Sequence, residues 1–256
     1  VDEGDAADHP NLPLNHAAPA FEAEVIAAHR PHHVVRPTRE AFDDRRWRRY
    51  RHVYFRLIER VDAKIGRILD ALDASPHRDD TLVIFTSDHG DHAGAHGLNQ
   101  KSWLYEESVK VPLLIAGPGV AAGTTCDALV STGLDLLPTL LDYAGAADPS
   151  LEGRSLRPWL EGRGDPAWRD EVVVQSTIDA STERGRMLRT ERWKYVVYHR
   201  GAHREMLFDL ASDPGELVNR AGERRHAAVL QEHRDRLTTW LHAQGDRFPV
   251  PRSSVA

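Results

Sequence analysis

The stretch Thr81-Leu82-Val83-Ile84-Phe85-Thr86-Ser87-Asp88-His89-Gly90 decides the architecture. From Thr81 to Thr86 the run is apolar on both faces and rich in β-branched side chains, which predicts a strand in the interior of a parallel sheet. It ends in a polar loop containing glycine. Upstream, Trp47, Tyr50, Tyr54, Leu57, Ile58, Val61, Ile65, Ile68, Leu69 and Leu72 recur at steps of three and four, predicting one amphipathic helix from about Arg45 to Ala74. Ser75-Pro76 ends it. Downstream, Val111 to Ala116 predicts a second buried strand, stopped by Gly117-Pro118-Gly119. A helix follows over Leu134 to Tyr143, in which Pro138 predicts a kink or a late start. The expected fold class is therefore α/β, with a mixed, mostly parallel sheet flanked by helices over residues 1–165.

Residues 145–170 are rich in Gly, Pro and Asp and set a boundary. Beyond it, short strands are predicted at Glu171 to Thr177, Arg186 to Thr190, Trp193 to His199 and Glu205 to Asp209, then a helix from His226 to His242. Adjacent strands followed by one helix predict a small antiparallel sheet with a covering helix over residues 166–256. Residues 1–20, rich in Pro, Asp and Ala, read as an extended surface loop.

Composition narrows the function. A charged fraction of 28% and a net charge of -6 give no electrostatic reason to expect nucleic acid. The basic run Arg45-Arg46-Trp47-Arg48-Arg49-Tyr50-Arg51-His52 sits at helical spacing, with the aromatics on the buried side and the arginines in solvent. No apolar run is long enough for a membrane span. The single cysteine, Cys126, excludes an intrachain disulfide and a cysteine-rich zinc site. The first twenty residues show no basic start followed by an apolar core. The sequence has the character of a soluble chain and assigns neither a compartment (cytoplasmic, periplasmic or secreted) nor an oligomeric state. His32-His33, in a loop flanked by proline, reads as surface.

Ligands of open parallel sheets bind outside the carboxyl ends of the strands, where Asp88 and His89 fall. A carboxylate beside an imidazole offers oxygen and nitrogen donors to a divalent cation. Gly90 lets the backbone turn sharply after them. Asp91, His92 and His96 add further candidate ligands, with His92 expected to be exposed. An Asp-His-Gly triplet is equally an ordinary polar turn, so the residues that follow carry the weight. Lysine is scarce, restricted to Lys64, Lys101, Lys110 and Lys194. A position that keeps Lys in an arginine-dominated chain points to a need for a compact point charge.

The combination Thr81 to Gly90, then Gly94-x-His96-Gly97, then Lys101-x-x-x-Tyr105-Glu106-Glu107-Ser108-Val109-x-Val111-Pro112 resembles the type I sulfatases of the alkaline-phosphatase superfamily. The resemblance continues through residues 130–141, 153–160, 186–195 and 207–216, which read as structural. It implies that Asp88 and His89 bind Ca²⁺, with Mn²⁺ or Mg²⁺ as alternatives. It implies that Lys101 contacts the sulfate and acts in catalysis, that His96 approaches the substrate, and that the substrate is a small-molecule or saccharide sulfate ester.

The pattern is incomplete. Sulfatases of this type make their nucleophile from Cys or Ser within Cys-x-Pro-Ser-x-Arg, and Cys126 lies in Thr-Thr-Cys-Asp-Ala without the Pro or Arg. Neither Asp43-Asp44 nor Asp79-Asp80 sits where the family's paired metal-binding aspartates should. Its upstream Lys and His are unmatched as well. The resemblance starts about halfway through a catalytic domain, so the expectation is a sulfuric ester hydrolase whose nucleophile lies elsewhere, these residues alone being inactive. Alternatives are a phosphonate monoester or phosphodiester hydrolase sharing Asp88 and His89, and a non-catalytic binding domain that keeps half of a metal site.

Overall fold

A computed structural model describes residues 9–29, 42–177 and 183–251. His32-His33 lie outside the described residues. The chain forms two compact units, neither continuous in sequence: Val1–Arg60 with His89–Lys110 and Val173–Ala256, and Val61–Asp88 with Val111–Val172. The first of these joins two segments upstream of the expected boundary near residue 165 to the C-terminal sheet.

The first unit is built on a sheet in the order β3 (Glu171–Thr177), β4 (Arg184–Thr190), β5 (Trp193–Tyr198), β6 (Glu205–Asp209). β4, β5 and β6 run antiparallel, with Leu188 opposite Tyr195 and Val196 opposite Met206. Strand alternation divides the apolar side chains into two cores. On one face Met187, Val196, Tyr198, Met206 and Phe208 pack with Leu98, Trp103, Leu104 and Tyr105 and with Ala23, Val25 and Ile26. The last two belong to α1 (Glu24–His29). On the other face Leu188, Tyr195, Val197 and Leu207 meet Leu230, Leu237 and Leu241 of α6 (Ala227–Ala243). Each large apolar side chain buried in this way contributes ~1.5–3 kcal/mol. The antiparallel sheet with a covering helix is thus the one the sequence predicts. The first core also anchors the segment on both sides of Lys101.

Charged forks tie the unit together. Arg234 of α6 grips both oxygens of Glu205 at 2.8 and 2.6 Å, and Tyr195 donates to the same carboxylate at 2.6 Å. Arg192 pairs with Asp209 through two bonds of 2.8 and 2.7 Å. The Arg192 guanidinium holds the Asp209 carboxyl down to about 2. The folded value lies below the unfolded one of about 3.9. The fork therefore contributes fully above the unfolded value, and its contribution disappears as pH falls through about 2. Unfolding free energy measured in denaturant between about pH 5 and pH 2 should fall less steeply in Arg192→Met than in the unaltered chain. Equal slopes would show that the fork contributes nothing.

In the second unit β1 (Val83–Thr86) and β2 (Leu113–Ala116) pair antiparallel, Val83 opposite Ala116 and Thr86 opposite Leu113. This differs from the parallel interior strands expected, and the described residues form no mostly parallel sheet. An apolar run on both faces records what flanks a strand, not the direction of its neighbour. α4 (Thr132–Tyr143) keeps Pro138 inside it. Proline cannot donate to the Leu134 carbonyl, and the backbone at Gly153 packs so closely against that carbonyl that no Cβ fits there. Asp135, fully buried, accepts both arms of Arg169 at 2.5 and 2.7 Å and the backbone N–H groups of Ser131 and Arg154.

α3 (Glu106–Val109) and α5 (Arg157–Leu160) are single turns. α2 (Asp44–Asp73) begins in the first unit and ends in the second. Asp43 Oδ1 caps it by accepting from Arg46 N at 2.8 Å. The predicted stripe forms, but only Trp47 on it is buried. Val61, Ile68 and Leu69 stay exposed, as do Phe85, Leu114, Leu134, Leu137 and Leu140 in the same second unit. No helix among the described residues is long and apolar enough to cross a membrane.

Candidate active-site loop

β1 delivers the chain to Asp88, which is exposed at its carboxyl end, and then to half-buried His89. His89 Nδ1 donates to the Gly90 carbonyl at 2.8 Å. That bond fixes the tautomer and makes Nε2 the lone-pair nitrogen, the arrangement a metal-binding imidazole needs. Gly90 N donates to Ser108 O at 2.9 Å, and the Glu107 carbonyl occupies the space a Cβ on Gly90 would take. Any side chain at 90 would push apart the strand exit and the Tyr105-Glu106-Glu107-Ser108 turn.

The loop after Gly90 is pinned from α2. Tyr50 donates to the two oxygens of Asp91 at 3.2 and 3.1 Å. Burial, then the Asp91 charge, pushes the Tyr50 hydroxyl far above its ordinary value, so it stays a donor. Burial likewise raises the Asp91 carboxyl, and the bonds from Ala93 N and Tyr50 offset part of the rise. Asp91 Oδ1 also accepts from Ala93 N at 2.7 Å, and Arg51 donates to Ala93 O at 2.7 Å.

His92 is buried, contrary to the exposed position expected. The loop turns back on itself there: His92 N donates to Gln100 O, Ala95 N donates to His92 O, and the ring meets Tyr105 edge-on. His96 is fully buried, stacked on Tyr105 with 3.9 Å between ring centroids. Its Nε2 lies 3.5 Å from Glu107 Oε2 and 3.4 Å from Asn15 Nδ2. Asn15 also donates to Glu107 Oε1 at 2.6 Å. Burial opposes ionisation of Glu107, but His96 and Asn15 outweigh it and hold the carboxyl down to about 2.

Lys101 is exposed. Gln100 and Ser102 on either side of it have φ of 58° and 95°, and Ala93 and His96 earlier in the loop have 46° and 55°. Left-handed backbone at residues other than glycine is strained and gathers at functional sites. Trp103, Leu104 and Tyr105 hold it in place by full burial, and Ser176 Oγ donates to Ser102 O at 2.8 Å.

The motif residues thus fall on one loop, with His89, His96 and Lys101 in the first unit and Asp88 closing the second. Asn15, Tyr50 and Glu216 are partners of this loop that no local pattern marks. Glu216 accepts from Glu106 N at 2.6 Å and pairs with Lys194 Nζ at 2.8 Å, joining the Asp213-Pro214-Gly215 turn to Tyr105-Glu106-Glu107. Cys126 is exposed.

Residues 15–146 match the sulfatase family, and residues 94–243 match the family described as N-sulphoglucosamine sulphohydrolase, C-terminal. The chain belongs to the sulfatase family. It is 39% identical over 197 residues to choline-sulfatase of Rhizobium meliloti, covering 73% of this chain and 37% of that one. The solved structure of a 2-O GAG sulfatase superposes with a TM-score of 0.86 at 29% identity, covering 95% of this chain and 54% of that one. The phosphonate monoester hydrolase of Agrobacterium radiobacter superposes with a TM-score of 0.76 at 30% identity, covering 93% and 52%. The chain therefore spans between about a third and a half of these relatives.

Proposed function

We propose that this sulfatase-family chain forms part of a longer sulfuric ester hydrolase and carries the Asp88, His89 and Lys101 portion of its active site. The observation that carries the reading is the loop itself: a fixed His89 tautomer beside Asp88, and an exposed Lys101 between two strained residues. Asp88 and His89 are a donor set that fits a divalent cation, proposed as Ca²⁺, with further ligands from outside these residues. Such an ion, when bound, stabilises negative charge on a substrate oxygen. In this reading Lys101 supplies the ammonium that meets the sulfuryl oxygens, and the Tyr50–Asp91 bonds hold the loop that carries it. The exposed apolar positions Val61, Ile68, Phe85, Leu114 and Leu137 are the face that the remainder of the enzyme covers. The proposed substrate is a small-molecule or saccharide sulfate ester, the latter in keeping with the 2-O GAG sulfatase.

The second reading, hydrolysis of phosphonate monoesters or phosphodiesters, is favoured by the Agrobacterium enzyme's similar TM-score. The test is to assay this chain alone and the longer enzyme on an aryl sulfate and an aryl phosphonate monoester, with Ca²⁺, Mn²⁺ or Mg²⁺ supplied. The chain alone should show no turnover, and the longer enzyme should have the higher kcat/KM on the sulfate. A preference for the phosphonate would replace the sulfatase reading with the second one. Turnover by the isolated chain that vanishes in Cys126→Ala would mean that Cys126 is the nucleophile after all.

A further inference from the structure

A second cluster of metal-ligating groups lies inside the first unit. One nitrogen of His96 and one carboxylate oxygen each of Glu107 and Glu216 lie within 4.8 Å of one another. His96 and Glu107 bracket the loop that carries Lys101, and Glu216 comes from a segment remote in sequence. His96 and Glu216 are 0% and 1% exposed.

The groups present leave this cluster short of partners. His96 Nδ1 makes no hydrogen bond, nor does Glu107 Oε2. The closest approach between Glu107 Oε2 and His96 Nε2 is 3.5 Å, beyond the range of a good hydrogen bond. Buried polar groups are ordinarily satisfied, so each exception asks for an atom that is not yet counted. Three carboxylates, Glu106, Glu107 and Glu216, gather here with Lys194, 3.1 Å from Glu106 and 2.8 Å from Glu216, and Arg189, 3.8 Å from Glu106.

We propose that His96, Glu107 and Glu216 form a binding site for one structural divalent cation of the Zn²⁺ type, distinct from the one assigned to Asp88 and His89. One imidazole and two carboxylates are an N/O set suited to Zn²⁺. An ion between His96 Nε2 and Glu107 Oε2, now 3.5 Å apart, would give that carboxylate oxygen the partner it lacks. A mutual spacing under 4.8 Å lets the ligand atoms close on a single ion with small side-chain adjustments, since Zn–N and Zn–O bonds are ~2.0–2.2 Å. Asn15 already orients Glu107, and Glu106 N orients Glu216, as partners of metal ligands commonly do. The ion would clamp the two ends of the Lys101 loop to the turn at Glu216. The fully buried His96 is then a structural ligand in place of the substrate contact its position suggests.

The experiment is equilibrium dialysis of the chelator-stripped chain against Zn²⁺ with metal analysis, together with the visible spectrum on titration with Co²⁺. One ion per chain is expected, with a Co²⁺ absorption band and a higher Tm in Zn²⁺. Affinity should fall at least tenfold in His96→Gln and in Glu107→Gln and stay unchanged in Asp88→Asn. Glu107→Gln keeps an acceptor for Asn15, and its circular dichroism spectrum verifies the fold. The proposal is overturned if the stripped wild-type chain retains no Zn²⁺, in which case a proton or a water completes the cluster. It is equally overturned if retained Zn²⁺ is indifferent to both glutamine variants, or is lost only in Asp88→Asn.

Discussion

Asp88→Ala, introduced into the longer enzyme proposed to contain this chain, is expected to abolish turnover of a sulfate ester and to remove its divalent ion. Asp88 stands exposed where β1 ends, next in the chain to His89 with its Nδ1 hydrogen-bonded to the Gly90 carbonyl. Alanine removes the charge and both oxygen donors at once and leaves His89 as the remaining ligand from this loop. A cation facing developing negative charge supplies several kcal/mol, and each 1.36 kcal/mol is about a factor of ten in rate. The drop should therefore reach roughly 10³-fold or more. Asp88→Asn keeps one oxygen donor without the charge, so it should bind the ion more weakly and recover part of its rate at high metal concentration. Thermal melting should barely change, because an exposed carboxylate contributes little core burial. Metal content and kcat/KM are measured on the same preparation, and Asp88→Ala retaining both would falsify the assignment.

How much of this was legible in the sequence depends on the reach of each interaction. α2, α4 and α6 announce themselves by helical spacing, and β3 to β6 by short strand runs between turns. These are local patterns, and the structure places each within a few residues of its expected bounds. Direction in the β1–β2 pair is not legible, because an apolar run on both faces says nothing of which way the neighbouring strand runs, and the pair is antiparallel. Within this chain Phe85 and Leu114 are 41% and 59% exposed, so the apolar run describes a surface that these residues do not complete.

The candidate loop divides in the same way. Asp88 and His89 stand out by their place at the strand end, and Lys101 by the resemblance of Lys101-x-x-x-Tyr105-Glu106-Glu107 to the sulfatases, a motif that lies close together in sequence. Tyr50 reaches Asp91 from 41 residues away, and Asn15 reaches Glu107 from 92. No periodicity marks a single residue that meets its partner only after folding. A His in a polar run has no local reason to be inside, so the sequence alone points His92 to solvent. The backbone bonds that fold 92–100 back on itself, and the Tyr105 ring beneath it, are tertiary facts.

Lys101→Ala in the longer enzyme is expected to lower kcat/KM by roughly 10²–10³-fold, and Lys101→Arg should restore little of the loss. The side chain is exposed, yet its backbone neighbours Gln100 and Ser102 are held in left-handed conformations by the buried Trp103-Leu104-Tyr105 anchor. Strain that the surrounding structure enforces fixes the backbone from which Lys101 projects before substrate arrives, so less of the loop has to reorganise as charge develops. An ammonium against a sulfuryl oxygen acts as a point charge, with a benefit that grows toward the transition state, so kcat should fall along with kcat/KM. Loss of one preorganised contact of this kind costs ~3–4 kcal/mol. Arginine brings a planar guanidinium of different reach and hydration, which cannot occupy the same point without displacing the ester. Stability should be unchanged in both variants, because Lys101 makes no core contact and the anchor at Trp103 to Tyr105 is untouched. Steady-state kinetics on an aryl sulfate, with metal content checked, separates the outcomes. If both variants stay within a few-fold of the unaltered enzyme, Lys101 is a surface lysine and the strain at Gln100 and Ser102 serves only the packing of the loop.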